Sequence, residues 1–226
     1  MTYPNTLFAA FLSRPNRFIA HVKIDGKTEI THVKNTGRCK ELLIPGATVI
    51  LQKFDETKRK TAYDFIAVYK GTRLINMDSQ APNKVFLEYL KSGQYIDGIT
   101  LIKPEAKYSS SRFDFYVEAG KRKIFIEVKG VTLEDGGVAM FPDAPTERGV
   151  RHLNELTKSI GSGYEAHVVF MIQMSGVNYF MPNNKTHPAF GEALVAAKKA
   201  GVKVAAFDCI VTENSLTIGK PVAAEL

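Results

Sequence analysis

Two carboxylates and an ammonium, Asp114, Glu127 and Lys129, fall within sixteen residues of one another in a pattern that can serve catalysis. The stretch FIEVKG, residues 125–130, reads as a β-strand. Strand residues alternate faces, so Glu127 and Lys129 share a face with Phe125, and Ile124, Ile126 and Val128 point into an apolar layer on the other. A charge on a buried strand costs several kcal/mol unless it is paired or bound to an ion. One solution is a structural ion pair between Glu127 and Lys129. The preceding strand adds a second carboxylate. RFDFYVEAGKRKIFIEVK has the outline of a hairpin, and a two-residue turn at Gly120-Lys121 sets Ala119 opposite Arg122. Counting outward puts Asp114 opposite Glu127, on the face that carries Lys129. Two opposed carboxylates repel unless one holds a proton or a positive charge lies between them. Lys129 could supply it. A hard divalent cation, Mg²⁺ or Mn²⁺, would do so better, with Asp114, Glu127 and the backbone carbonyl of Val128 as ligands. Lys129 would then stand beside an attacking water, and the chemistry would be metal-assisted attack on a phosphodiester.

The elements around this face form two groups. Residues 17–79 read as all-β: RFIAHVKID, KTEITHVKN, GATVILQKFD, AYDFIAVYK and TRLINM make about five strands, punctuated by Gly26, Gly37, Gly46 and Gly71. That count suits a small barrel, an OB-fold or an SH3-like one. Phe18, Phe54, Tyr63, Phe65 and Tyr69 are available either as core or as stacking platforms for bases. Between two of the strands, ETKRK sets Lys58, Arg59 and Lys60 together as a candidate phosphate contact. A linker, SQAPNK, leads into a helix through KVFLEYLKSG, with Asn83 able to cap it and Gly93 to end it. Beyond it the pattern becomes mixed α/β. Strands are expected at 99–107, 112–118 and 122–131, then a helix through APTERGVRHLNELTKSI, a buried strand AHVVFMIQM, a helix PAFGEALVAAKKAG and a last strand VKVAAFDCIV. The division expected is 1–81 for the barrel and 82–226 for an α/β domain, an α+β two-domain chain.

Charge follows the same division. The chain has a net charge of +7 over 226 residues. Residues 1–81 hold 13 Lys and Arg against 7 Asp and Glu, a net of +6, whereas residues 82–226 hold 17 against 16. A basic barrel points to a polyanion partner, most often nucleic acid. Two distant cysteines, Cys39 and Cys209, indicate no disulfide scaffold, and no zinc pattern exists. LFAAFL, residues 7–12, is too short for a signal-peptide core, and no apolar run approaches the roughly 20 residues that span a bilayer. A cytoplasmic protein with no membrane contact is expected.

Asp114, twelve intervening residues and then Glu127-Val128-Lys129 resemble the PD-(D/E)XK nuclease superfamily, with Phe113 where the motif's name has Pro. The order helix, three strands, helix, strand is similar to that superfamily's core. Over essentially the whole chain, NTGRCKELLIPG, SRFDFYVE, IEVKGVTLEDGGVAMFPDAPTERGVRHLNEL and GVKVAAFDCIV resemble the sugar fermentation stimulation protein A family. The resemblance implies an N-terminal OB-like domain, a C-terminal restriction-endonuclease-like domain with a mixed sheet flanked by helices, non-sequence-specific DNA binding, and a regulatory link to sugar (maltose) metabolism. Carried over, Asp114, Glu127 and Lys129 match the nuclease constellation. Glu88 matches a position where many such nucleases hold a further acid, against the alternative of a solvent-facing helix glutamate. Arg148 and His152, four apart on one helix face, flank the apolar stripe Leu153, Leu156 and Ile160 and are candidates for a phosphate at its edge. Arg112 in the polar loop SSSR and Arg38 in the turn NTGR are further backbone contacts, and Asp143 is either a helix cap or a metal contact. Three functions compete: a DNA-binding protein with a metal-dependent phosphodiesterase site, with RNA not excluded; a DNA-binding regulator whose nuclease-like site is idle; and an enzyme acting on a small phosphorylated sugar.

Overall fold

The computed structural model describes residues 1–55, 59–109 and 111–226. The first third is a closed barrel of β1 (Thr6–Asn16), β2 (Ile19–Ile24), β3 (Lys27–Val33), β4 (Thr48–Lys53) and β5 (Tyr63–Lys70). β1 pairs antiparallel with both β2 and β4, and β3 closes the ring by pairing parallel with β5 at Thr31–Tyr63, His32–Asp64 and Val33–Phe65. The strand order 1-2-3-5-4 is that of an OB barrel. One expectation is corrected here. LFAAFL, outside the all-β stretch expected at 17–79, is the body of β1, and TRLINM, β6 (Arg73–Asn76), is a sixth strand on the sheet's edge rather than a member of the ring. β1 begins eleven residues before the all-β stretch expected from the sequence. Its outward residues include the exposed Phe8, which masks its alternation.

The rest of the chain runs α1 (Ala81–Lys91), β7 (Ile99–Tyr108), β8 (Ser111–Ala119), β9 (Arg122–Val131), β10 (Leu133–Asp135), β11 (Val138–Phe141), α2 (Glu147–Gly161), β12 (Glu165–Ile172), β13 (Tyr179–Pro182), α3 (Pro188–Lys199), β14 (Lys203–Val211), β15 (Leu216–Pro221) and β16 (Ala223–Ala224). The large mixed sheet has the order β15-β14-β12-β9-β8-β7, with β9, β12 and β14 parallel. α1 covers one face, packing Val85, Phe86 and Leu90 with Phe115, Ile124 and Ile126. α2 and α3 cover the other, where Leu153, Leu156, Phe190 and Leu194 meet Phe125 and Phe170. A small sheet, β10-β11-β13-β16, lies beside them; its strands, like β15, are too short or too irregular to stand out in the sequence.

Helix starts differ from the sequence expectation. α1 opens at Ala81 after Gln80, with Pro82 in its first turn, so Asn83 is inside the helix rather than its cap. α2 is capped by Thr146, whose hydroxyl accepts the Gly149 N–H at 3.1 Å, so Asp143 is not the cap. The two domains are stitched together. The Gln173 amide donates to the backbone of Asn76 and Asp78, and the buried Glu134 of β10 binds Lys70 and Arg73 of the barrel at 2.8 and 2.6 Å. Residues before β1 also cross over, with Tyr3 N–H donating to the Asn214 carbonyl. Among the described residues, no helix is long and apolar enough to cross a membrane.

Candidate active site

The β8–β9 hairpin has the register that its turn dictates. Ala119 faces Arg122 and the ladder runs to Phe115–Ile126. Gly120 supplies the positive φ, +60°, that the tight turn needs. The ladder then stops one pair short of Asp114 and Glu127. On β8 the alternation breaks at this point. Phe115 packs on Phe86 beneath α1, while Phe113, two residues earlier, packs on Phe125 and His152 on the opposite face. Opposite this break, Glu105 of β7 has a φ of +55°. Asp114 therefore does not sit squarely across from Glu127. Its Oδ2 accepts the Val128 N–H at 2.7 Å, standing in for the lost backbone partner, and its Oδ1 accepts from Asn83 Nδ2 of α1 at 2.7 Å.

Glu127 is 3% exposed on the α2 side of the sheet. Lys129 Nζ donates to its Oε1 at 2.6 Å, and His152 Nδ1 bonds the same oxygen. His152 Nε2 accepts from Arg148 Nε at 3.3 Å, which leaves Nδ1 to carry the proton given to Glu127. The other carboxylate oxygen, Oε2, is buried with no hydrogen-bond partner among the described residues. Burial works to raise the Glu127 carboxyl, but the His152 hydrogen bond and the Lys129 charge outweigh it, so its pKa lies below the usual value. Asp114 goes the other way. Burial first, and the Glu127 charge second, push it up to about 6 despite the Val128 and Asn83 hydrogen bonds.

The structure thus brings Asp114, Glu127, Val128 and Lys129 together, and adds Asn83 and His152. Other sequence candidates fall elsewhere. Glu88 is on the exposed face of α1, bound to the N-terminal ammonium at 2.9 Å. That is the solvent-facing alternative, and the α1 residue that reaches the site is Asn83. His152 does not lie at an exposed edge; it is 4% exposed and holds Glu127, so a phosphate contact falls to the exposed Arg148 alone. Its position four residues before Leu156 and seven before the buried Ser159 was the overlooked sign of an inward face. Arg59 is no free cation: its guanidinium binds the buried Asp64 and lies 3.8 Å over the Phe54 ring. Lys60 is exposed, as is Arg38, and Arg112 pairs with Glu105 at 2.9 Å on the surface. Lys58 lies outside the described residues. Asp143 faces Gly37 of the barrel, burial raises its carboxyl, and among the described residues it joins no group of three metal-ligating side chains. Of the five aromatics offered as platforms, Phe65 is buried and Phe18 is 53% exposed, whereas Phe54, Tyr63 and Tyr69 are half-buried.

Comparison with known proteins decides the family. Residues 80–215 match the family described as sugar fermentation stimulation protein RE domain, and residues 12–77 the SfsA N-terminal OB domain. The chain belongs to the sugar fermentation stimulation protein family. It is 63% identical to a sugar fermentation stimulation protein homolog of Desulfitobacterium hafniense, covering 100% of this chain and 99% of that protein, and 58% identical to the homolog of Ruminiclostridium cellulolyticum over the full length of both. Among solved structures, that of Pyrococcus furiosus SfsA in complex with Ca²⁺ is similar at a TM-score of 0.91 and 30% identity, covering 100% of this chain and 98% of the other. The OB barrel and the restriction-endonuclease-like domain are thus properties this family member shares with its relatives.

Proposed function

We propose that this family member binds nucleic acid without sequence preference and carries a cation-dependent phosphodiesterase centre at Asp114, Glu127 and Lys129. The observation that carries the reading is the buried, unpartnered Oε2 of Glu127, beside an Asp114 whose burial and neighbour raise its carboxyl. A buried carboxylate oxygen without a donor calls for a partner, and a hard cation is one that fits the oxygens around it. Asp114, Glu127 and the Val128 carbonyl would hold Mg²⁺ or Mn²⁺, a donor set of hard oxygens, and the solved relative described with Ca²⁺ supports a cation of that kind. Such an ion supplies a Lewis acid for a phosphodiester and lowers the pKa of bound water. The chain's own residues do the rest. Asn83 and the Val128 N–H orient Asp114; His152 and Arg148 hold Glu127 in one rotamer; Lys129, 14% exposed along its side chain, presents an ammonium where a scissile phosphate would develop charge. DNA is the expected substrate class, with the barrel's +6 excess supplying non-specific affinity.

A second reading has an observation of its own. Lys129 is bonded directly to Glu127, and among the described residues no group of three or more His, Cys, Asp or Glu side chains is placed to hold a metal ion. On that reading the site is an idle nuclease fold and the protein is a DNA-binding regulator linked to sugar metabolism. One assay separates the two: cleavage of mixed DNA and RNA with and without Mg²⁺ or Mn²⁺, with Lys129→Ala as control. Cation-dependent cleavage lost in the variant supports the enzyme. Binding by both proteins with cleavage by neither overturns it in favour of the regulator.

A further inference from the structure

A groove lined by none of the acidic-site residues lies where the barrel meets the loop that leads into α2. It is about 780 Å³ and is lined from both domains. Its cationic residues are Arg17, Arg38 and Lys40, all exposed, and none makes an ion pair among the described residues. Its apolar residues include Phe11, Leu12, Leu43, Pro45 and Pro145. Among the described residues, no carboxylate lines it. A fourth cation, Arg14, is spent on architecture. Its guanidinium donates to the carbonyls of Arg17, Asn35, Gly37 and Arg38, tying the β1–β2 turn to the 35–38 turn and so setting the groove's two walls.

We propose that this groove seats a single nucleic-acid strand, with phosphates on Arg17, Arg38 and Lys40 and unpaired bases on the apolar floor; the inference rests on the nucleic-acid reading above and names the form of the substrate. A duplex keeps its bases stacked inside and offers a protein surface chiefly phosphates, so an apolar floor under a cationic rim suits a strand with free bases better than a duplex. Phe18 is not a lining residue, but it follows Arg17 in the β1–β2 turn and is 53% exposed, so on this proposal it stacks a base just beyond the groove. Pro145, on the groove's α2 side, comes just before α2, the helix that carries the exposed Arg148.

The test uses the full chain and fluorescence anisotropy with a labelled oligothymidine strand and a labelled duplex of equal length. The wild type is expected to prefer the single strand. Arg17→Ala/Arg38→Ala/Lys40→Ala should lose most of that affinity and make the log–log salt slope shallower by about 2, at about −0.7 per phosphate. Phe18→Ala should weaken the single strand by about 5- to 150-fold, the worth of one stacked base, and leave the duplex unchanged. Lys121→Ala/Lys123→Ala/Lys198→Ala, exposed lysines elsewhere, should bind as wild type. Circular dichroism confirms that each variant is folded. Four results overturn the inference: equal affinity for duplex and strand with Phe18→Ala silent, retention of binding by the groove triple variant, equal loss in the two triple variants, or displacement of the strand by a free mononucleotide at comparable concentration. Each leaves non-specific nucleic-acid binding standing. Absence of binding to any nucleic acid by the wild type fails the broader reading as well, and is thereby distinguished.

Discussion

Asp114 makes the most specific prediction, because its carboxyl is raised by the same environment that would accept a cation. Holding it at about 6 rather than 3.8 makes the ionised form about 3 kcal/mol less stable in the fold than in the unfolded chain, at about 1.4 kcal/mol per pH unit. Its partial exposure trims that to about 1–3 kcal/mol. A raised folded pKa means the folded state holds the proton more tightly. Stability without divalent cation therefore falls as pH climbs from about 4 to about 6, and is flat above. His167, buried and held down at about 4, has the opposite slope in that window, since the unfolded chain binds its proton first. Glu127, with its lowered pKa, acts below 4.5, where its stabilisation is lost as pH falls. The wild-type curve alone is thus a sum of opposing slopes, and the difference between wild type and Asp114→Asn isolates Asp114. The asparagine amide meets one of the two donors now on Asp114, Asn83 or the Val128 N–H, costing about 1 kcal/mol. That offset does not depend on pH. Urea unfolding from pH 4 to pH 7.5 in chelator should show Asp114→Asn gaining about 1–3 kcal/mol relative to wild type as pH rises. Mg²⁺ should shrink the gain by stabilising only the wild type. Parallel curves for the two proteins across the window would refute the reasoning.

Three further outcomes follow from the same geometry. Lys129→Ala removes one of the two partners of Glu127 Oε1 and leaves His152, so the cost in stability should be about 1–3 kcal/mol, while any cation-dependent cleavage drops about 10²–10⁴-fold; thermal melts and rate measurements on one variant separate the two. His152→Ala leaves the buried Glu127 carboxylate half-satisfied and opens a cavity, and should cost about 2–4 kcal/mol by chemical denaturation; a change within 0.5 kcal/mol of zero would show that His152 does not hold Glu127. Glu134→Gln removes the carboxylate that joins Lys70 and Arg73 to β10, and should cost about 1–3 kcal/mol, discounted because both cations are partly exposed. Because Glu134 is held down at about 2, its stabilisation is present above its unfolded pKa and lost as pH falls through about 2, so the wild-type advantage over Glu134→Gln should vanish in strong acid.

The sequence by itself determined what near neighbours decide. The turn at Gly120-Lys121 and the two-residue period of a strand were enough to pair β8 with β9 as far as Phe115–Ile126, to place Glu127 and Lys129 on one face, and to set Ile124, Ile126 and Val128 on the other. The apolar stripe of α2 and the buried run of β12 were legible for the same reason: side-chain direction repeats along a regular backbone. The longer-range pairings were set by packing. His152 reaches Glu127 across 25 residues and Asn83 reaches Asp114 across 31, from helices whose approach to the sheet is set by packing on both its faces. Glu88 and Asn83 lie on the same helix. With Pro82 in its first turn, α1 starts three residues earlier than a cap at Asn83 would allow, and the packing of Phe86 and Leu90 then points Asn83 to the site and Glu88 to the N-terminus. Arg59 was lost to a buried acid five residues away, because Asp64 faces into the barrel and a buried carboxylate must recruit a cation. The groove was hidden most completely. Its walls come from β1, two turns of the barrel and the loop before α2, and they meet only because Arg14 gathers the turns' carbonyls and the two domains pack together.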